Sequence, residues 1–486
     1  MSTGKLIHRG PDAIHIKTFG QCTMEFSRLA INDQSRYGMQ PFIGKRGMLM
    51  CNGEIYNHES FPFKDQVSFS DCECIMPLVE SVGISEASTR LRGEFAFCYT
   101  DGTKVMASRD PLGVRPLFYT RFGSGGIAFA SEVKALLEFG TKVDIFPPGH
   151  TYSSETDAFE CYYPYEWDIK DTFIEAVRIR TENTDRNIGF LLSGGLDSSL
   201  VVSIASRMRS EKLKTFSVGI DESPDVLAAR KVAEYLKTDH TEFRFDVEEG
   251  LKNIENVIWS LESYDTTTVR ASVPMWLLSR FISKTTDCVV ILSGEGSDEL
   301  FGGYLYFHYA PSVEEFTAEN VRRLRLIHQF DGLRADRCIS AHGLELRVPF
   351  LDVKVVEAGM MMEQTLKTPK NGIEKYYLRK AFEGWLPDEI LWRQKNGMSD
   401  AVGYAWVTAV KAHAESVISD GEFEDIKVLA GDHNVPLTKE EALYRKIFWK
   451  LFGTDKDHLI SEIWRPKWTT QTDPSATQLS VFSINQ

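Results

Sequence analysis

A chain of 486 residues is too long for one ordinary core, so two domains are expected. Hydrophobic residues at 43% and charged residues at 26% are the composition of a folded globular protein and exclude global disorder. A formal net charge of -14 argues against a polyanion such as RNA as partner, and the sequence has no apolar run of about 18 residues that would span a membrane.

Met1–Lys5 leads at once into His8-Arg9-Gly10-Pro11-Asp12, which does not fit a signal peptide. The cysteines are scattered, and the closest pair, Cys72 and Cys74, is too tightly spaced for zinc. Reduced thiols in a cytoplasmic protein are expected.

The first third is rich in short alternating runs and turn signals. Gly47–Cys51 runs into Asn52-Gly53-Glu54, which reads as a strand entering a tight turn. Phe95, Phe97 and Tyr99 share one parity, the pattern of a half-buried strand, and Asp101-Gly102 turns it into Lys104–Ser108. Further strands are expected near Leu117–Tyr119 and Ile127–Ala130. Pro147-Pro148-Gly149 breaks the pattern, and the aromatic stretch to about Trp167 reads as a linker. That places a domain boundary near residue 165, between units 1-165 and 166-468.

The remainder alternates apolar strands with helices: strands at Ile188–Leu192, Thr215–Gly219 and Cys288–Leu292, helices at Leu196–Met208 and Leu227–Leu236. This alternation predicts an α/β unit with a parallel sheet covered by helices. Beyond about residue 305 the pattern is mainly helical, and the polar tail 469-486 reads as loose.

Two glycine loops follow apolar strands. Ser193-Gly194-Gly195-Leu196-Asp197-Ser198 sits between a strand and a helix. Its glycines let backbone amides approach a phosphate, the helix start favours negative charge, and Asp197 suits a metal ion bridging phosphate oxygens. No Gly-Lys-Ser/Thr follows, so it is not a Walker loop. The second loop, Ser293-Gly294-Glu295-Gly296-Ser297-Asp298-Glu299, emerges at the same carboxyl edge of an open parallel sheet. Its carboxylates repel unless a cation sits among them, so Asp298 reads as a metal ligand. Glu295 reads as a base.

The first loop resembles the PP-loop of ATP pyrophosphatases. Leu300-Phe301-Gly302-Gly303-Tyr304, Glu345–Asp352, Tyr264–Ser272 and Trp392-Arg393-Gln394-Lys395 together resemble the synthetase domain of the asparagine synthetases. The similarity runs in order from about residue 8 to about 450. It implies that Leu192, Ser193, Gly194, Gly195, Asp197, Ser198, Val218, Ser293 and Gly294 line an ATP and pyrophosphate site. It further implies that Asp197 and Asp298 hold Mg2+, that Glu295 deprotonates attacking ammonia, and that Lys375 steadies the reacting phosphate. Arg270 is a candidate contact for aspartate. The implied reaction converts aspartate to asparagine through a β-aspartyl adenylate, releasing AMP and pyrophosphate.

Arg28-Leu29-Ala30-Ile31, Asn52–Asn57, Ser70–Glu73, the His8–Asp12 string and Arg109–Gly113 resemble a class II glutamine amidotransferase domain of the Ntn-type αββα fold. The resemblance implies that Arg28 grips the glutamine α-carboxylate and that Glu54 and Asp71 face its α-amino group. Asn52 and the Gly53 amide would form an oxyanion hole. The family nucleophile is a cysteine at position 2, with its own amine as base; here that position is Ser2, and the family's first strand and helix have no counterpart before His8. Cys22 and Cys51 are internal and are given no catalytic role. The expectation is a synthetase that uses ammonia in place of glutamine, with an amino-terminal domain of lower stability that exposes a sheet edge. The family often forms dimers, so a homodimer is the expected assembly. The alternatives are a β-lactam-synthetase-like adenylating ligase and a non-catalytic regulatory homologue.

Overall fold

Period-two alternation in the first third folds into antiparallel sheet. The computed structural model describes residues 4–63, 66–123, 125–140, 142–162, 169–394 and 404–469. The strands there are β1 (Ala13–Phe19), β2 (Cys22–Arg28), β3 (Phe42–Ile43), β4 (Met48–Ile55), β5 (Gly93–Thr100), β6 (Val105–Arg109), β7 (Phe118–Phe122), β8 (Gly126–Ala130), β9 (Val143–Ile145), β10 (His150–Ser153) and β11 (Ala158–Cys161). A six-stranded sheet has the order β11-β10-β6-β5-β4-β3, beside a β1-β2 pair and a β8-β7-β9 sheet. Helices α1 (Ile75–Val82) and α2 (Ile84–Arg90) cover it. The residue-165 boundary, Ser2, Lys395 and the tail beyond Thr469 lie outside the described residues.

Two sequence expectations are overturned here. Asn52-Gly53 is not a turn: β4 runs straight through it, with Gly53 opposite Phe95 of β5. Gly53 takes φ +150°, and a Cβ there would lie 2.0 Å from the Glu94 carbonyl oxygen. The glycine therefore serves a close strand approach instead of a hairpin. The stretch after Pro147-Pro148-Gly149 is not simply a linker either. Its first part is the β10-β11 hairpin, in register from His150 opposite Cys161 to Ser153 opposite Ala158. Tyr152 and Phe159 pack their rings 5.1 Å apart in that hairpin, so the aromatic content is core.

The second half holds β12 (Asn187–Leu191), β13 (Lys214–Gly219), β14 (Asp239–Arg244), β15 (Cys288–Leu292) and β16 (Glu345–Arg347), in the parallel order β14-β13-β12-β15-β16. Strand β16 was not foreseen: three residues inside a helical region are too few for a periodic signal. Every residue of β15 is buried. Ile291 faces a core with Val257, Val273 and Phe448, while Val290 and Leu292 face another with Phe173, Leu200 and Val201. A strand covered on both faces reads as a continuous apolar run, as Cys288–Leu292 does.

Helices in the first part of this half are α3 (Ile169–Glu182), α4 (Leu196–Met208), α5 (Pro224–Leu236), α6 (Val247–Lys252), α7 (Ile254–Leu261) and α8 (Thr266–Thr285). They are followed by α9 (Ser297–Phe301), α10 (Val313–Leu326), α11 (Asp331–Ser340), α12 (Val353–Met361), α13 (Gln364–Lys367), α14 (Tyr376–Ala381) and α15 (Asp388–Leu391).

Buried ion pairs join the two halves. Arg180 of α3 reaches Glu94 of β5 at 2.8 Å and Asp352 at 2.7 Å, and Arg92 meets Asp352 at 3.1 Å. Arg9 bridges Glu132 at 3.1 Å and Asp336 at 2.9 Å, while Arg337 contacts Glu132 at 3.3 Å and Glu262 at 2.9 Å. Burial alone would raise the Asp352 carboxyl, but Arg180 and Arg92 outweigh it and hold it below the usual carboxylate range.

Removing one partner of such a pair leaves an uncompensated buried charge. Asp352→Ala is expected to destabilise the fold by about 3–5 kcal/mol at neutral pH, read by denaturant unfolding. Because the Asp352 pKa is depressed, its contribution is complete above the unfolded-state pKa and is lost as pH falls. The gap between wild type and variant should therefore narrow below about pH 4. A gap that stays constant down to that range would contradict the assignment.

Candidate active site

Both glycine loops open from adjacent strands of the parallel sheet, β12 and β15, at their carboxyl ends. The first is held by its own hydroxyls. The Ser193 amide donates to Ser198 Oγ at 3.1 Å, and the Gly195 amide donates to Ser193 Oγ at 3.3 Å. Gly194 adopts φ +72° and lies against α5, where a Cβ would sit 2.3 Å from the Ala229 nitrogen. Arg393 donates to the Gly194 carbonyl at 3.2 Å and to Asp225 at 3.1 Å. Leu192 continues the strand pairing through a 2.8 Å bond from its amide to the Phe216 carbonyl, and Val218 is buried at the same end of β13.

The second loop lies directly against the first. A Cβ on Gly294 would come within 2.7 Å of the Ser198 nitrogen, so the backbones touch there. The Ser293 amide donates to the Arg347 carbonyl at 3.0 Å. Gly296, at φ +95°, turns the chain into α9, which carries Ser297 and Asp298 in its first turn.

Lys375 ties the two loops together. Its Nζ contacts Asp197 Oδ1 at 2.7 Å and Oδ2 at 2.8 Å, Ser297 Oγ at 3.1 Å and Asp298 Oδ1 at 2.5 Å. The residue is 2% exposed and sits at the left-handed φ of +55° just before α14. Gly303 makes room for it, since a Cβ there would meet Lys375 Cε at 2.0 Å.

A cation between two carboxylates is the arrangement a hard divalent ion exploits, and the ammonium stands in for it here. Among the described residues no group of three or more His, Cys, Asp or Glu forms a ready cage. Two carboxylates beside a glycine loop are a donor set that would suit Mg2+.

Glu295 accepts from Arg334 at 2.8 Å, and the same guanidinium nitrogen reaches Asp331 at 2.7 Å. Tyr304 donates to Asp331 at 3.0 Å and also to Glu299. Burial, then Asp331 and Asp298, pushes the Glu299 carboxyl well above its usual range. Arg334 was not singled out in the sequence; its only signal was its place on the apolar-patterned α11. Arg270 is 3% exposed and pairs with Glu440 through Nε at 2.6 Å and Nη2 at 2.5 Å. A substrate carboxylate at Arg270 would compete with that pair.

In the amino-terminal half, Arg28, Asn52, Gly53, Glu54 and Asp71 all line one cavity of about 510 Å³. The cavity extends to Asp336 and Glu345 of the other half, and among its described lining residues none belongs to the first glycine loop or to Ser293–Glu299. Arg28 donates to the Ser35 carbonyl at 2.8 Å and to that of Asp33; burial, only partly offset by Asp33 and Asp12, lowers its pKa. Asn52 Nδ2 donates to Ser131 Oγ at 3.3 Å. Asn32, overlooked in the sequence, donates to Glu54 at 2.7 Å and to Asp71 at 3.2 Å. Burial and the neighbouring Asp71 raise Glu54 well above the usual range, and burial raises Asp71. Glu54 also accepts from Asn183 at 3.0 Å and pairs with Arg347 at 3.3 Å, both from the other half. Cys51 is buried and Cys22 half-buried.

The two halves each match a known family. Residues 1–160 match the glutamine amidotransferase domain, and 168–326 with 311–480 match asparagine synthase. Joined in one chain, these define an amidotransferase-linked ligase. The chain is 41% identical to the asparagine synthetase [glutamine-hydrolyzing] of Gallus gallus, over 99% of this chain and 96% of that protein. It is also 41% identical to that of Homo sapiens over the same shares, and 40% identical to a probable asparagine synthetase [glutamine-hydrolyzing] of Dictyostelium discoideum over 97% and 94%. The chain belongs to the asparagine synthetase family. No described helix is long and apolar enough to cross a membrane.

Gly194→Ala would force a methyl group into the α5 backbone at a left-handed φ. A loss of about 1–3 kcal/mol is expected from overpacking and strain, read as a lowered unfolding midpoint. An unchanged midpoint would show that the loop does not pack as described.

Proposed function

We propose that this enzyme amidates aspartate to asparagine with ATP, and that the convergence of Asp197 and Asp298 on Lys375 is the observation that carries the reading. Backbone amides and hydroxyls of Ser193, Gly194, Gly195 and Ser198 hold the phosphates of ATP, with Leu192, Val218, Ser293 and Gly294 beside the nucleotide. Asp197 and Asp298 would hold Mg2+, which would supply charge neutralisation on the pyrophosphate leaving group. Lys375, itself buried, adds a fixed positive charge at the reacting phosphate.

The aspartate side-chain carboxylate attacks the α-phosphorus, and the bond to pyrophosphate breaks. Ammonia then attacks the acyl carbon of the β-aspartyl adenylate and AMP leaves. Glu295, oriented by Arg334, takes the proton the nitrogen must lose. Arg270 reaches substrate only by exchanging its Glu440 partner. Nitrogen enters as ammonia at Glu295, whether supplied free or released from glutamine held by Arg28, Asn52, Gly53, Glu54 and Asp71. The working division is 1-165 for the glutamine unit and 166-468 for the synthetase, in a cytoplasmic homodimer.

Purified protein with aspartate and Mg-ATP is expected to form asparagine, AMP and pyrophosphate when given ammonium. A parallel reaction with glutamine reports whether the amino-terminal pocket delivers nitrogen. Asp298→Asn should abolish aspartate-dependent exchange of pyrophosphate into ATP. Glu295→Gln should retain that exchange yet lower asparagine formation by about 10²–10⁴-fold. Exchange lost in both variants would remove Glu295 from the second step, and a ring-closed product without added nitrogen would indicate a β-lactam-synthetase-like ligase. ATP binding with no pyrophosphate release would mark a regulatory homologue.

A further inference from the structure

Behind the Lys375 site lies a second buried lysine that the reaction does not use. Lys367, on α13, is 1% exposed, and its Nζ meets neutral groups among the described residues. It lies 2.9 Å from Asn320 Oδ1, 3.4 Å from the Leu300 carbonyl oxygen and 3.9 Å from Met360 Sδ. Asn320, on α10, is fully buried and donates its Nδ2 to the Glu299 carbonyl.

These bonds meet a specific need of α9. The helix is five residues long, and its last carbonyls lack successors. The Gly302 and Gly303 amides both return to the Asp298 carbonyl, leaving those of Glu299, Leu300 and Phe301. Asn320 and Lys367 donate to the first two. An ammonium only donates, so it forces Asn320 Oδ1 toward itself and Nδ2 toward Glu299. The clamp therefore fixes the far end of the short helix whose first turn presents Asp298.

We propose that Lys367 is a positioning residue for the Asp298 carboxylate, setting through Asn320 and the end of α9 how tightly the site holds magnesium with pyrophosphate. This rests on the reading of Asp298 as a magnesium ligand. The proposal has a pH signature. Burial lowers the Lys367 pKa to about 8. Carboxylates on the packed elements are engaged elsewhere or do not figure in its shift: Glu299 and Asp298 on α9 take Tyr304 and Lys375, and Glu319 on α10 takes Arg322 and Arg323. Glu363 beside α13 accepts from Thr365, Glu374 takes Arg379, and Glu357 on α12 is buried without being a cause of the shift. Below about pH 8 the clamp is charge-assisted; above it the amine is neutral and the bonds weaken.

The test titrates magnesium at fixed excess pyrophosphate and follows the unfolding midpoint of the full chain, a readout that needs no turnover. Pyrophosphate exchange is run alongside. Lys367→Arg, whose guanidinium keeps its proton, reports the change that pyrophosphate's own deprotonation brings from pH 7 to pH 9. Relative to it, the wild-type half-saturating magnesium concentration should rise about fivefold over that range, the difference between a charged and a neutral hydrogen bond. Lys367→Met should need about tenfold more magnesium at pH 7, with the same exchange rate at saturation. Arginine tracking wild type across pH, or methionine matching it at pH 7, would overturn the proposal. Binding with this pattern but no exchange would instead sink the adenylation reading and leave the clamp standing. Should the methionine variant not fold, the comparison of wild type with arginine still decides.

Discussion

One ammonium group organises the synthetase half. Lys375 draws together Asp197 from the loop after β12 and Asp298 from the loop after β15, and without it two carboxylates would face each other across a buried gap. Its charge settles the repulsion in advance, so the two loops hold one geometry around it. The supporting residues follow from that demand. Gly303 and Gly294 have no side chain because the lysine and the first loop occupy the space. Arg393 fastens the Gly194 carbonyl, and Arg334 keeps Glu295 turned toward α11.

The amino-terminal pocket is tied to the same loops through one residue. Arg347 pairs by its side chain with Glu54, which lines the cavity, and by its carbonyl with the Ser293 amide, which opens the second loop. It belongs to β16, the edge of the parallel sheet. One residue thus contacts both the cavity lining and the second loop, beside the buried pairs that join the two halves.

Much of this was legible in the sequence where a local rule was left undisturbed. Cys288–Leu292 and Leu196–Met208 have the bounds their patterns gave, because the first is an unbroken apolar run ended by a glycine loop and the second a long helix with regular apolar spacing. Asn52-Gly53 misled because pairing with β5 overrode the turn preference of its dipeptide. The β10-β11 hairpin was hidden because two four-residue strands leave little alternation to read. In the site, glycine spacing and strand context marked both loops. Lys375, by contrast, is an ordinary lysine until the fold brings it beside Asp197, and only family resemblance singled it out. Asn32 and Lys367 carried no signal, and Arg334 only its place on α11, since their importance lies in partners more than twenty residues away.

The backbone at Lys375 adds a consequence of its own. A left-handed φ of +55° suits glycine or asparagine and costs a lysine on the order of 1 kcal/mol or more. Local conformational energy and chemistry therefore disagree at this position. The strain is smaller than the cost of leaving Asp197 and Asp298 without their cation, about 3–5 kcal/mol, so the lysine stays the better residue for the fold as well. A small local strain is thus carried where one charge joins two loops.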